Sequence, residues 1–324
     1  MTLVSDARQK SVDILIPAFD EEEALPQFHQ NLCGVVDRIP YTVKIYYIND
    51  GSKDQTGEIL ASIAQNDPRV VVVELSRNFG HQAALTAGLD LAQGDAVITM
   101  DADGQHPPEM IPEMLKLYEA GYDIVYTQRV EEKQPSSFKR WSSAAFYRTI
   151  NQIGDTRIIP GSADYRLTSQ QVVSELRKMR EYQRFLRGMI SWMGYRSVIL
   201  PFLPAQRIAG QSKYSLKKMV RLAMDATFSF SLVPLQIGLF TGVIFFVLAA
   251  IEVLYVLSLW LIGKPNNLAP GWSSLMFMLL IVGGTLMFLL SFIGIYIGYI
   301  FQEVKSRPIY IIRTIHDHAF ETKD

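Results

Sequence analysis

Asp101 and Asp103 stand one residue apart in Asp101-Ala102-Asp103-Gly104-Gln105, directly after the apolar run Ala96-Val97-Ile98-Thr99-Met100. Two carboxylates at that spacing, just past a strand, can hold a divalent cation through oxygen ligands and leave its other positions to substrate phosphates and water. That is the chemistry of a metal diphosphate. Acidic pairs also close ordinary surface turns, so the pattern gains meaning only from its surroundings.

The surroundings alternate strand and helix. Val12 to Phe19 reads as a strand, followed by Asp20-Glu21-Glu22-Glu23 and by Ala24, Leu25, Phe28, Leu32 and Val35 at helical spacing. An acidic run there fits the positive end of a helix dipole. Val43 to Ile48 is a second strand, ending in Asn49-Asp50-Gly51-Ser52-Lys53-Asp54. A carboxylate at the carboxyl end of such a strand sits where open α/β sheets bind nucleotides, which assigns Asp50 to the nucleobase; Ser52 or Asp54 reads as a helix cap. Val70 to Leu75 leads through Ser76-Arg77-Asn78-Phe79-Gly80-His81-Gln82 into a small-residue helix, and Tyr122 to Thr127 ends in Gln128-Arg129. The expected fold is therefore α/β, a mostly parallel Rossmann-like sheet with the acidic pair on its binding edge.

The pattern changes after Arg129. Ser136 to Ile153 carries Phe138, Trp141, Ala145, Phe146 and Ile150 on one face with Lys139, Arg140, Ser143 and Arg148 around them. Such a helix can lie in a membrane interface or pack on a sheet, and periodicity does not separate the two. Gln206 to Tyr214 is a Gly-containing basic loop of the kind that suits anions, and Leu216 to Phe230 is a second amphipathic stretch. The expected domains are a front domain over 1–213, this amphipathic helix over 214–231, two apolar spans within 232–302, and a tail over 303–324.

Residues 235–262 and 274–301 each exceed the roughly 20 residues that cross a bilayer. Between them the only charge is Lys264, whereas Lys213 to Arg221 before and Lys305, Arg307 and Arg313 after are basic, so both ends are expected in the cytoplasm. Glu252, near mid-span, reads either as functional or as a contact with a neighbouring subunit. No basic, then apolar, leader is evident at the N-terminus. The 31 basic and 32 acidic residues leave no nucleic-acid footprint, and the single Cys33 excludes a disulfide framework and reads as a small core residue.

Taken in order, Ile16-Pro17-Ala18-Phe19-Asp20-Glu21-Glu22, Asn49 to Asp54, Leu75 to Gly80, Asp101 to Gln105, Arg184-Phe185 with Gly188, Trp192 and Gly194-Tyr195, and Gly210 to Tyr214 resemble the polyisoprenyl-phosphate glycosyltransferases. These are inverting family-2 enzymes with a GT-A fold, related to dolichol-phosphate mannose synthase; the C-terminal spans resemble the bacterial bactoprenol-phosphate glucosyltransferase branch. The resemblance implies that Asp101, Ala102 and Asp103 meet a nucleotide-sugar and its Mg²⁺ or Mn²⁺, with Gln105 as a further metal ligand. Pro17, Ala18, Asp20 and Glu22 line the nucleotide and Asp50 its base, while Asp164 is the acceptor-side catalytic carboxylate. Arg129, Lys139, Ser143 and Arg207 fall where the family holds a lipid phosphate. Gly104 and Asn49 depart from the usual Leu and Asp.

The implied function is transfer of a hexose, glucose from UDP-glucose first, to polyprenyl phosphate at the cytoplasmic face of the inner membrane. A homotetramer would fit that branch. UDP-galactose, UDP-GlcNAc, a modified arabinose or GDP-mannose are alternative donors. A processive polysaccharide synthase and a non-catalytic scaffold on a transferase fold are the rival readings.

Overall fold

The structure is a computed structural model and describes residues 9–130, 162–182, 184–203 and 271–317, with scattered positions between 240 and 262. Two compact units emerge, one formed by residues 1–215 with 308–324 and the other by 216–307.

The first unit is built on eight strands: β1 (Ser11–Ala18), β2 (Thr42–Asn49), β3 (Val70–Leu75), β4 (Ala96–Thr99), β5 (Ile124–Arg129), β6 (Ser162–Ser169), β7 (Ser197–Phe202) and β8 (Ile312–Asp317). Their order across the sheet is β7-β5-β6-β4-β1-β2-β3-β8. β6 runs antiparallel to its neighbours β4 and β5, and β8 antiparallel to β3; the other pairings are parallel. The α/β, mostly parallel sheet is thus as expected.

Why the inner strands are apolar throughout follows from what covers them. Alternate residues of β1 divide between two cores: Val12, Ile14 and Ile16 pack with helices α1 (Leu25–Val36), α2 (Thr56–Asn66) and α4 (Ile111–Glu119), while Leu15 packs with α3 (His81–Leu91), α5 (Gln170–Lys178) and α6 (Leu186–Trp192). A strand buried on both faces has no reason to alternate with polar residues. Each such Ile or Leu contributes about 1.5–3 kcal/mol by leaving water. The exception in β1 is Asp13, whose Oδ2 accepts the amides of Gln93 (2.6 Å) and Gly94 (2.8 Å) and so fixes the turn into β4.

Helix starts are handled locally. Ser169 caps α5 by accepting the Val172 amide, and a 3-10 turn at Pro108–Met110 precedes α4, with a proline at its first position. α1 is different. It starts at Leu25 with no acidic residue in its first turn, so the run Asp20–Glu23 does not serve that helix dipole.

The stretch expected as a tail is partly structural, because β8 closes the β3 edge of the sheet and Lys44 Nζ meets Asp317 Oδ2 at 2.9 Å. In the second unit, α7 (Trp272–Val304) is a 33-residue helix whose portion Ile281–Val304 is long and apolar enough to cross a membrane, with Leu286, Met287 and Leu290 exposed. Among the described residues it is the one helix that meets this test. Most of the other expected span, 235–262, lies outside the described residues, Glu252 included, as do the helices expected at 136–153 and 214–231.

Candidate active site

The parallel strands deliver their connecting loops to one edge, and two of these loops are stitched together. Asp20, at the end of β1, adopts a left-handed backbone (φ 52°) and donates its amide to Ser52 Oγ (3.1 Å) while its Oδ1 accepts the Lys53 amide (2.9 Å). Glu22 Oε2 accepts the amide of Gln55, the residue that precedes α2, at 2.8 Å. The acidic run therefore holds the next loop. Asp54 Oδ1 accepts the Thr56 amide at the start of α2, whereas Ser52 turns to Asp20 and caps nothing. Pro17 and Ala18 lead into this corner on the last positions of β1.

Gly51 lets the second loop approach the third. With φ 66° and an imagined Cβ only 2.5 Å from the Arg77 carbonyl carbon, no side chain fits there. Beside it, buried Asp50 accepts the amides of Phe79 (2.7 Å) and Gly80 (2.8 Å). Burial raises the pKa of this carboxyl, and the two amides work in the opposite direction. Asp50 thereby positions the start of α3, and with it His81.

His81 faces the acidic cluster, its Nε2 lying 3.6 Å from Asp101 Oδ1 and 3.5 Å from Asp164 Oδ2. Burial disfavours its charge, yet Asp164 and Asp101 win and its pKa is raised. The two carboxylates meet because β6 is antiparallel to β4: the ladder pairs Thr99 with Arg166, so two residues further on Asp101 faces Asp164. Asp164 is heavily committed. Arg187 grips it through Nε to Oδ1 and Nη2 to Oδ2, both 2.9 Å, and Arg166 Nη2 also donates to Oδ1. Burial would raise its pKa, but Arg187, His81 and Arg166 together hold it well below the usual carboxylate range. A carboxylate so stabilised is a poor base and a good orienting group.

Asp101 presents the opposite case. Its backbone amide donates to Nδ1 of buried His106 at 2.9 Å, which places the proton of the neutral imidazole on Nε2. Burial lowers the His106 pKa, and the ring is stacked 5.1 Å from Tyr165. The Asp101 carboxylate is partly exposed and accepts no hydrogen bond among the described residues. Asp103 Oδ1 accepts the Gln105 amide across Gly104, whose φ is 76°. Gln105 Oε1 accepts from Arg129 Nη2 at 3.0 Å, so two residues expected at separate jobs touch each other here.

The oxygen donors of Asp101 and Asp103 suit a hard divalent cation, and the partly exposed carboxylate of Asp101 has lone pairs to offer one. Gln105 Oε1 already accepts from Arg129, which leaves its second lone pair for a cation. Ala102 is buried between the two acids. Lys139, Ser143 and Arg207 lie outside the described residues.

Sequence reasoning missed His81, His106, Arg166 and Arg187. A signal existed for Arg166, since residues two apart on a strand share a face and Asp164-Tyr165-Arg166 puts acid and base together. His81 and Arg187 sat inside quoted motifs without a role.

The binding edge of this α/β sheet thus brings an acidic pair, Asp101 and Asp103, beside the cation-held carboxylate of Asp164. The chain belongs to glycosyl transferase family 2, whose family model matches residues 13–177. It is 38% identical over 307 residues to the uncharacterized glycosyltransferase YkcC of Bacillus subtilis (strain 168), covering 95% of this chain and 94% of that protein. It is also 38% identical over 308 residues to the SfII prophage-derived bactoprenol glucosyl transferase of Shigella flexneri, with 94% and 98% covered. Among solved structures, glucosyl-3-phosphoglycerate synthase from Mycobacterium tuberculosis, in complex with Mn²⁺, UDP and phosphoglyceric acid, matches at TM-score 0.43 and 18% identity, over 66% of this chain and 75% of that one. The protein is a glycosyltransferase and a homologue of bactoprenol glucosyl transferases.

Proposed function

We propose that the protein transfers glucose from UDP-glucose to a polyprenyl phosphate, with inversion, on the cytoplasmic face of a membrane. The observation that carries this reading is the Asp101–Asp164 juxtaposition across the β4–β6 ladder, open acid on one side and guanidinium-bound acid on the other. Names of relatives at 38% identity supply the sugar and the lipid class.

In this reading Asp101 and Asp103 hold Mg²⁺ or Mn²⁺, and the cation when bound would neutralise charge gathering on the leaving diphosphate. Pro17, Ala18, Asp20, Glu22 and Asp50 line the nucleotide with Ala102, through a corner already braced by its own amide hydrogen bonds. The nucleophile needs little help. A phosphate monoester with a second pKa near ~6 is mostly dianionic at neutral pH, so no strong base is required. Asp164 accordingly orients sugar hydroxyls or acceptor, and Arg187 shields the acceptor phosphate from its charge. Arg129, Lys139, Ser143 and Arg207 complete the phosphate site.

Chain connectivity supports a membrane-anchored reading, and the basic flanks of the spans favour the cytoplasmic face. The catalytic unit is left after residue 215 and rejoined at 308, so the segment between crosses a membrane an even number of times or not at all. With α7 as one crossing, a second over 235–262 returns the chain to the starting side. At 33 residues α7 extends about 50 Å, ample for a hydrocarbon core of about 30 Å.

The test is a donor panel: purified protein in detergent, polyprenyl phosphate, Mg²⁺ or Mn²⁺, and labelled UDP- and GDP-sugars tested one at a time. Label entering the organic phase from UDP-glucose supports the reading. Transfer from a different donor alone replaces the sugar, and no transfer from any donor by folded protein overturns it.

A further inference from the structure

At the other end of the sheet, before β3 rather than after β4, lies a second cluster that the transfer reaction does not use. His29 and Cys33 are four apart on α1 and therefore share one face. Asp67 faces them from the turn between α2 and β3. His29 Nε2 is 3.5 Å from Cys33 Sγ, Cys33 Sγ is 3.6 Å from Asp67 Oδ2, and His29 Nε2 is 3.8 Å from the same oxygen. Among the described residues this is the one group of three such side chains whose ligand atoms all approach one another this closely.

Those three distances describe a triangle of a particular size. Around a tetrahedral Zn²⁺, bonds of about 2.0–2.3 Å to nitrogen, oxygen and sulfur put neighbouring ligand atoms about 3.3–3.6 Å apart, so the two sides that meet at Cys33 match and the His29–Asp67 side, at 3.8 Å, closes by about 0.5 Å on binding. We propose that His29, Cys33 and Asp67 form a binding site for a borderline-soft divalent metal ion, Zn²⁺ being the best match, with water as the fourth ligand. Cys33 is thus neither core nor idle, contrary to the simplest reading of the sequence.

The surroundings agree on four counts. His29 Nδ1 lies 3.1 Å from the hydroxyl of buried Tyr47; with a metal on Nε2 the proton sits on Nδ1 and Tyr47 accepts it, the outer hydrogen bond that metal-bound histidines require. Burial lowers the His29 pKa, which keeps the imidazole neutral and available. Charge also balances. Asp37, Asp67 and Arg69 are linked by ion pairs of 2.6 and 2.7 Å and sum to one negative charge; adding a dication and ionising the Cys33 thiol, whose proton leaves to solvent, brings the cluster to zero. Arg69 holds Asp67 through both oxygens, while Oδ2 also accepts from the Cys33 thiol and is released from that bond when the thiol ionises. Burial and Asp67 push the Cys33 thiol up to about 11, so it is the bound dication, helped by the Arg69 guanidinium 3.6 Å from Sγ, that would stabilise the thiolate. Finally, a cleft of about 660 Å³ lined by Pro26, Ser62, Asn66 and Pro68 as well as the cluster gives an entry path and room for water.

The consequence would be structural. A metal here ties α1 to the α2–β3 turn, on the edge of the sheet away from the chemistry, whereas the Asp101 and Asp103 oxygens suit Mg²⁺ or Mn²⁺.

The test uses full-length, detergent-purified protein, stripped of metal and titrated with Co²⁺ as a spectroscopic probe, then with Zn²⁺ in competition. The expected result is a thiolate-to-cobalt charge-transfer band from a single site, which Zn²⁺ bleaches; cobalt held by carboxylates alone gives no such band. Cys33→Ser removes the band, Tyr47→Phe weakens Zn²⁺ binding about 10- to 100-fold, and Asp103→Ala leaves both untouched. Folded wild-type protein that shows no charge-transfer band overturns the proposal, and so does a band that survives Cys33→Ser. Because the readout is metal binding, it stands or falls separately from the donor panel.

Discussion

The two halves of the binding edge are made from the same residue type and put it to different ends. On the β1–β2–β3 side, Asp20, Glu22, Asp50 and Asp54 accept backbone amides from adjoining loops. On the β4–β6 side, the Asp101 and Asp164 carboxylates face imidazoles and guanidiniums. Backbone amides are fixed partners, so the carboxylates of the first half brace their corner; a side-chain cation can be exchanged for a metal or a phosphate, so the carboxylates of the second half can change partners. The difference teaches that acidity at a sheet edge is no guide to chemistry until the partner of each carboxylate is known.

The sharpest way to break this contrast is Asp103→Ala. Turnover is expected to fall about 10³-fold while the thermal midpoint moves little, because the electrostatic contribution to the transition state outweighs the local amide hydrogen bond to Gln105 that is lost with it. Equal losses of activity and stability would erase the distinction. Next in size is Arg187→Ala, which strips Asp164 of its bidentate partner and should cost about 1.5–3 kcal/mol in urea unfolding as well as activity. Arg187→Lys recovers only part, since an ammonium cannot reproduce the fork.

Acid separates the halves further. The folded pKa of Asp164 is far below its unfolded value near ~4, so its ion-pair stabilisation is complete above that pH and disappears as pH falls through the folded pKa. An acid titration of unfolding should therefore flatten below about pH 4 in Asp164→Asn relative to the wild type. Asp50, raised by burial, has no such signature to lose. Asp50→Asn should instead cost about 1–2 kcal/mol and increase hydrogen exchange at Phe79 and Gly80, whose amides it holds. The smallest effect is expected from Glu22→Ala, about 0.5–1 kcal/mol, seen as a lower urea midpoint with transfer retained. A large loss of turnover there would assign Glu22 to substrate rather than to Gln55.

How much of this could be read in advance depended on range. Strands β1 to β4 announced themselves through apolar runs ending in Gly, Asp and Asn, and the acidic pair was placed correctly at the end of β4 because that information is local. β6 was not recognised as a strand: its insertion between β4 and β5 is a pairing of residues some 70 positions apart, as in Thr168 Oγ1 to the Val97 carbonyl, and no periodicity encodes it. Asp164 was accordingly known only by resemblance, and its arginines not at all. Asp20 and Glu22 were misread for a related reason, since a helix dipole is a neighbour in sequence and the Gln55 amide is not.

β8 carries a consequence for how the protein is made. It completes the sheet against β3 although the chain between Leu75 and Ile312 includes the whole apolar unit. At about 5–20 residues per second, roughly 10–50 s of synthesis separate the two strands. During that time the β3 edge has no strand to cover it, and an uncovered edge is a template for pairing with another chain. Only a polypeptide synthesised through Asp317 can cap it. The sheet is therefore completed late: until residues 312–317 emerge, β3 offers its open flank to any other chain that can pair with it.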